Sequence, residues 1–398
     1  MFQVLKPNKF VNQFKNIYMS KKITLLNQVT GPLFIDIANE YAKTYNEVIL
    51  VTGILEPTYA KLNDKVKVVY KTAYKRNKSY FRILTWLLFF VETYCYFFFR
   101  KHVEGEEALI VTNPPILPFL GSNFFPKRKI KFNVLVYDIY PDALSNFNYL
   151  KKTSLIFKYW DQKNRTSYKN AERIITISSV MKEVICRNID EQKVEIIYPW
   201  VDTSFIRPIQ KEKNWFIEKN NLSTKKVILY SGNMGETHDL LTPLKVAKEL
   251  SETHKNFHFL FIGDGVQKKR LMDYTIEHNV KNVTFLPYQD ASVLPFSFAA
   301  ADFSIVSLGT GAEGLSVPSK TFYSLAAGAA IIAISEKGSE IEQLISKNNC
   351  GISIEPNKVN LMKEFLINTS ELDLEKKKIN ARSLSKQFTV NNVKCFVN

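Results

Sequence analysis

The sequence predicts an α/β chain made of two doubly wound domains, each organised on a parallel sheet. Three observations carry that prediction. Short β-branched runs alternate with segments of helical apolar spacing from one end of the chain to the other. Those runs are apolar throughout rather than at every second residue, the pattern of strands covered on both faces. The series restarts after a polar, strand-poor stretch around 200–224 that holds Pro199 and Pro208, and 398 residues exceed what one core usually organises.

In chain order, KITLLNQ (22–28), NEVILVT (46–52), VKVVY (66–70), EALIVTN (107–113), FNVLVYD (132–138), RIITIS (173–178) and VEIIYP (194–199) read as strands of the first domain. Helical segments such as PLFIDIANEYAKTY lie between them. KKVILYSG (225–232), FHFLFIGDG (257–265), NVTFLP (282–287), FSIVSL (303–308), AAIIAIS (329–335) and CGISIEP (350–356) form the second series. The expected limits are an N-terminal extension over 1–18, a first domain over 19–205 and a second over 206–370. The charged segment 371–398 is expected as a helix returning to the first domain. The most apolar window, 80–99, is interrupted by Arg82 and Glu92, and its unbroken part falls short of the roughly 18–20 residues of a spanning helix. Lys71, Lys75, Arg76 and Lys78 precede it, and Arg100, Lys101 and His102 follow. That pattern over 80–102 suits a core helix, or a helix lying in a membrane interface with its cations on lipid phosphates.

Hydrophobic content of 45% and charged content of 23% exclude a disordered or collagen-like chain. The formal net charge of +16 is unevenly spread: residues 1–200 hold 30 basic and 17 acidic side chains, against 24 and 21 in the remainder. The first half therefore faces something anionic, whether nucleic acid, anionic lipid or a phosphorylated substrate. Cys95, Cys186, Cys350 and Cys395 are widely spaced and share no metal-ligand spacing with the five histidines. Neither a disulfide framework nor a metal site is expected, and a reducing cytosol fits. The basic, aromatic N-terminus lacks the apolar stretch of an export signal.

Three glycine-rich stretches follow strands of the second domain. FIGDGVQKKRL (261–271) and YSGNMGE (230–236) place Gly263, Gly265 and Gly232 where backbone amides meet an anion, or where a tight turn needs them. LGTGAEGLSVPSKTFYSLAAGAAIIAIS (308–335) reads as strand end, loop, helix, glycine turn and strand. Pro318 suits the first turn of its helix, and Ser316 or Ser319 suits the cap. Lys320 there opposes the helix dipole, which makes sense if a diphosphate sits between the lysine and the amides. Glu313 is a loop carboxylate able to accept bonds from sugar hydroxyls.

With SGNMG, IGDG and VTFLPY (283–288) in the same order, this segment resembles the C-terminal domain of GT-B glycosyltransferases. Within that fold it is similar to the retaining family four, or group 1, and to its members that build bacterial surface polysaccharides such as capsule, O-antigen and exopolysaccharide. VLVYDIYPD (134–142), NAERIITISSVMKEVI (170–185) and VEIIYPWVDTSFIRP (194–208) resemble three successive blocks of the family's first domain. The resemblance implies two Rossmann-like domains with a central cleft. It implies transfer from a nucleotide sugar, with a UDP-sugar the family's usual donor, and neither a cofactor nor a metal. Its acceptor would be a lipid-linked glycan such as a polyprenyl diphosphate oligosaccharide, met by a cytoplasmic enzyme at an anionic membrane surface.

Carried onto this chain, the resemblance makes Asp138, Glu313 and Lys320 the catalytic candidates. Gly31, Gly232, Asn233, His238, Gly263, Gly265, Leu286, Tyr288, Ser316, Ser319 and Tyr323 become donor-side candidates, and Asn113 and Asp142 acceptor-side ones. The chain departs from the family at three places. Tyr323 stands where a ribose-facing Glu is expected, Tyr137 precedes Asp138 where relatives carry His, and the loop 232–238 lacks the usual Arg and Lys. Lys320, with Lys268 behind it, is the substitute cation. A GT-B sugar-nucleotide epimerase or hydrolase and a non-catalytic partner subunit stay open as alternatives. A nucleic-acid-binding role is disfavoured, because no nucleic-acid motif accompanies the charge.

Overall fold

The computed structural model describes residues 21–397 except 57–59, 76–78, 102–104, 313 and 316. The strands are β1 (Lys22–Leu26), β2 (Val29–Thr30), β3 (Glu47–Thr52), β4 (Ile54–Leu55), β5 (Val66–Tyr70), β6 (Glu107–Val111), β7 (Lys131–Val136), β8 (Ile174–Thr176) and β9 (Val194–Ile196). They continue with β10 (Lys226–Ser231), β11 (Phe257–Ile262), β12 (Val283–Leu286), β13 (Phe303–Ser307), β14 (Ala330–Ile334) and β15 (Gly351–Ile354). Every apolar run read from the sequence holds a strand, up to three residues shorter than the run because the runs end in turn residues; β7 also starts one residue before its run. The β2–β4 pair, two residues each, is too short to leave a periodic signal.

One sheet has the order β5-β3-β1-β6-β7-β8-β9 and the other β12-β11-β10-β13-β14-β15. Pairing is parallel, with Leu25 level with Leu50 and Leu109, and Tyr230 level with Phe261. The second sheet is covered on both faces. Val227, Leu229, Leu260, Ile262, Val306 and Ile331 belong to one core, and Ile228, Tyr230, Phe259, Phe261, Ile305 and Ile332 to the other. That period-2 division explains why its strands are apolar at every position.

Two compact units result. The first comprises the described residues of Met1–Val136 with Lys158–Ile175 and Val393–Asn398, and the second comprises Tyr137–Phe157 and Thr176–Asn392. The division differs from the limits 19–205 and 206–370 expected from sequence. Long-range bonds within the second unit are the reason: Ile139 N–H donates to Leu315 O at 3.1 Å. The buried Glu340 carboxylate accepts the Ser179 hydroxyl at 2.8 Å and the Tyr198 hydroxyl at 3.0 Å. The helix Glu371–Ser385 packs on the helix Lys320–Ala327 of the same unit, and its Arg382 reaches Thr203, within the limits 19–205 expected for the first domain. Val393–Asn398 does join the first unit, where the Tyr41 hydroxyl donates to Phe396 O at 2.9 Å and Arg173 to Cys395 O at 2.8 Å.

Arg382 fixes the helix Glu371–Ser385. It donates to Ala326 O at 2.7 Å, Thr203 O at 3.0 Å and Ile206 O at 3.3 Å, closing the carbonyl end of the helix Lys320–Ala327. Arg382→Ala is expected to lower unfolding stability by about 2 kcal/mol, since bonds from a charged donor contribute roughly 1.5–3 kcal/mol. Equilibrium denaturation measures it, and an unchanged midpoint would show that these bonds carry no net stability.

In the first unit the helix Ser79–Phe99 has two unlike faces. Thr85, Phe89, Thr93 and Phe97 are buried, Gln28 Nε2 donates to Thr85 O at 2.9 Å, and the Glu92 carboxylate accepts Thr72 N–H at 2.7 Å. Tyr80, Leu84, Leu87, Val91, Tyr94 and Phe98, recurring every third or fourth residue, are exposed, Leu87 to 50% and Val91 to 53%. By length and composition Tyr80–Phe99 is apolar enough to cross a membrane. A face packed inside a folded unit, however, is not available to lipid.

Candidate active site

In open parallel sheets ligands bind beyond the carboxyl ends of the strands, where neighbouring connections run to opposite faces. In the second sheet that point lies between β10 and β13. The loops after these two strands and the start of the helix Lys320–Ala327 frame a cleft of about 440 Å³. Its lining includes Asp138, Gly232, Asn233, His238, Tyr288, Ser319, Lys320 and Tyr323.

Gly232 has φ +141°, and a Cβ there would stand 3.2 Å from Lys320 Cε and Nζ, so glycine is what admits the lysine beside the backbone. Lys320 Nζ is buried, lies 3.8 Å from the centre of the Tyr230 ring and has no hydrogen-bond acceptor among the described residues. Burial lowers its pKa to about 7. The Tyr230 hydroxyl donates to Asn233 O at 2.5 Å, which fixes the ring under the amine and the loop above it. His238 is pushed down to about 4, first by burial and then by the Lys320 charge, so its imidazole is neutral at pH 7. Gln267 Nε2 donates to His238 O at 2.8 Å and holds that stretch of backbone.

The remaining carboxylate in the wall is Asp138, just past β7, whose pKa burial raises to about 6. Opposite in character is an apolar section made by Leu294, Phe298, Val317, Tyr288 and Tyr323, with the Phe298 and Tyr323 rings stacked at 5.4 Å and 28°. The cleft thus combines a buried amine beside the Gly232 backbone, a carboxyl of raised pKa and an aromatic wall. It suits a ligand with an anionic centre and a flat ring.

Eight of the sequence candidates therefore meet in one cleft, including Tyr323, which contributes a ring where a carboxylate was the family pattern. Gly263, Gly265 and Leu286 are not among the cleft-lining residues. Gly263 N–H donates to Leu286 O at 3.0 Å, and side chains at 263 and 265 would overlap the backbone of Gly232 and Met234, so these glycines serve close backbone packing. Lys268 Nζ donates to Gly263 O at 3.0 Å and braces the same turn. Ser319 occupies the helix N-cap position without a side-chain bond; Thr321 N–H is taken by Pro318 O instead, so the cap expected of Ser319 is absent. Asp142 begins the short helix Asp142–Asn146 outside the cleft lining. Gly31 and Asn113 lie in the first unit, after β1 and β6, where Gln28 N–H donates to Asn113 O at 2.8 Å. Glu313 and Ser316 lie outside the described residues.

Sequence reasoning missed Ser231, Leu294, Phe298, Leu308, Val317 and Pro318 as cleft residues. Leu294 and Phe298 sit in an apolar helix that reads as core, so no local signal marks them. Among the described residues no three His, Cys, Asp or Glu side chains gather as metal ligands.

A two-sheet parallel chain with this crevice in its second sheet is a GT-B fold. Anabaena Alr3699/HepE, solved with UDP and glucose, matches at a TM-score of 0.70 and 14% identity over 95% of this chain and 98% of its own. Residues 211–383, less than half of the chain, match the family model of glycosyl transferases group 1, and over that range the chain is similar to those enzymes. The probable glycosyltransferase WbjE of Pseudomonas aeruginosa is 26% identical over 275 residues, 68% of each chain. WcaI of Escherichia coli K12, assigned to colanic acid biosynthesis, is 27% identical over 200 residues, about half of each chain at 49% and 48%.

Proposed function

We propose that the enzyme moves one sugar from a nucleoside diphosphate donor, a UDP-sugar, to a polyprenyl diphosphate-linked oligosaccharide during bacterial surface polysaccharide assembly. In this reading the anomeric configuration is retained, no metal takes part, and transfer occurs on the cytoplasmic side of the membrane. The single observation that carries the reading is Lys320: a buried amine without an acceptor among the described residues, set between an aromatic face and a glycine loop, suits a diphosphate. The names of WcaI and of the UDP-bound HepE support the substrate class.

Chemically, the bond from the anomeric carbon to the diphosphate oxygen breaks as a bond to the acceptor oxygen forms. Lys320 and the neighbouring amides take up the charge developing on the diphosphate, the role a fixed cation plays in a water-poor site. Asp138 receives, or orients, the acceptor hydroxyl proton. The aromatic wall takes the base.

The test is thermal unfolding of the purified protein with UDP, GDP, CDP, ADP and TDP. A ligand at a hundred times its dissociation constant stabilises by about 2.7 kcal/mol. Stabilisation by none of the five would sink the donor-site reading, and conversion of a donor sugar without acceptor would favour a hydrolase or epimerase.

The exposed apolar face of the helix Ser79–Phe99 supports the membrane part of the reading. Arg128 stacks on Phe98 and Phe124 at 5.6 and 5.3 Å, putting a cation beside the apolar stripe as an anionic interface requires. Replacing both Leu87 and Val91 by Glu is expected to cut partitioning onto phosphatidylglycerol vesicles at least about tenfold. Unaltered co-sedimentation would show that this face does not meet lipid.

A further inference from the structure

The loop after β13 takes its shape largely from neighbours in its own unit. Its internal bonds are short turns, Ala312 N–H to Gly309 O and Leu315 N–H to Ala312 O. From outside, Ile139 N–H donates to Leu315 O at 3.1 Å and Asn146 Nδ2 donates to Gly311 O at 2.8 Å. Val180 and Val184 close on Gly314, where a Cβ would lie 3.0 and 3.2 Å from their methyl groups. Gly311 and Gly314 have φ of +85° and +68°, so the loop reaches these partners in a form that side chains would strain. The helix bearing Val180 is itself fixed, because Glu340 accepts Val180 N–H at 3.1 Å.

Asp138 stands in the cleft wall, and the next residue, Ile139, already grips the loop. Eight residues beyond Asp138, Asn146 grips it again. The segment 137–147 therefore ties the placement of the cleft carboxylate to that of the loop. Within the cleft, the aromatic wall suits the nucleoside, and Lys320 with Gly232 suits the diphosphate. That leaves the side bearing Asp138 and Leu308, the root of the loop, for the sugar.

We propose that Asn146 is a positioning residue for the donor sugar: its bond to Gly311, with that of Ile139 to Leu315, holds the described residues of the loop 309–315 beside Asp138 and shapes the sugar-facing end of the cleft. The inference rests on the donor-site reading above and goes beyond it by separating sugar recognition from diphosphate binding. Asn146 is not among the cleft-lining residues, so its loss should act through the loop, on the sugar alone.

The experiment compares wild type, Asn146→Ala and Asn146→Asp, the second of which keeps the size and loses the donor. For each, calorimetry gives the affinity of the nucleoside diphosphate that stabilises the wild type and of its glucose, galactose and N-acetylglucosamine conjugates. In the wild type one conjugate should bind more tightly than the bare diphosphate. Both variants should lose about five- to tenfold of that increment, the value of one hydrogen bond, with bare diphosphate affinity unchanged. An unchanged increment, or no increment in the wild type, overturns the proposal. Equal losses for diphosphate and conjugate also overturn it, by showing a merely structural role. If the wild type binds no nucleoside diphosphate, the donor-site reading fails first and takes this one with it.

Discussion

Lys320→Ala is expected to weaken nucleoside diphosphate binding about a hundredfold, while the ligand-free protein unfolds at the same temperature or higher. A charge-assisted bond to phosphate in a buried site contributes roughly 1.5–3 kcal/mol, and long-range attraction in a low-dielectric cleft adds to it. The gain in the ligand-free state has the opposite origin. A buried amine without an acceptor costs stability, and its removal relieves that cost. Lys320→Gln, which keeps the length, should behave as the alanine variant does. A parallel loss of fold stability in both would show a structural lysine.

The same lysine sets a pH dependence whose sign can be worked out. Its folded-state pKa is lowered by burial to about 7, and a bound diphosphate raises it again. Below pH 7 the amine is already charged and binding is at full strength. Above pH 7 binding must first draw a proton onto the amine, so affinity falls by up to about tenfold per pH unit. The other titratable side chains packed near it, His238 and Tyr230, are neutral throughout this range, because burial lowers the first pKa and raises the second. In the ligand-free protein the depressed pKa means that the unfolded chain holds the proton more tightly. Stability contributed by this group therefore rises with pH between about 7 and the ordinary lysine value of 10.5. A diphosphate affinity that is flat from pH 6 to 9 would remove Lys320 from the phosphate.

The second large effect belongs to Asp138. Asp138→Asn should lower kcat by on the order of 10² to 10⁴, the usual range for a lost proton acceptor, and leave diphosphate affinity within about twofold. Burial raises the Asp138 pKa to about 6, so the wild-type rate should climb as pH rises towards 6 and level off above it. The asparagine variant should lack that limb. Loss of diphosphate binding together with rate would place Asp138 among the groups that hold the donor instead.

Much of this was readable in the residues alone. The strand and helix series, the two parallel sheets and the glycine-rich crevice follow from local pattern, because period, turn residues and caps act over a few neighbours. Lys320 was also legible, since a cation at the positive end of a helix conflicts with the helix dipole and so calls for an anion. What sequence reasoning missed depends on partners distant in the chain. Leu294 and Phe298 read as ordinary core until Tyr323, 25 residues beyond Phe298, stacks on Phe298 from another helix and all three line one cleft. Gly263 and Gly265 look like ligand glycines until the Gly232–Met234 backbone is seen to fill the space a side chain would need.

The chain's own order of residues thus determined its class of fold, its sheets and the lysine that opens the cleft helix. Only tertiary structure decided that Tyr137–Phe157 belongs to the same unit as the cleft, that Glu371–Ser385 packs beside the helix of Lys320, and that one face of Ser79–Phe99 is left apolar and open. The physical reason is the same each time. Hydrogen bonds such as Asn146 to Gly311, 165 residues apart, and burial that covers one side of a helix, are set by which surfaces meet, and no local pattern records that.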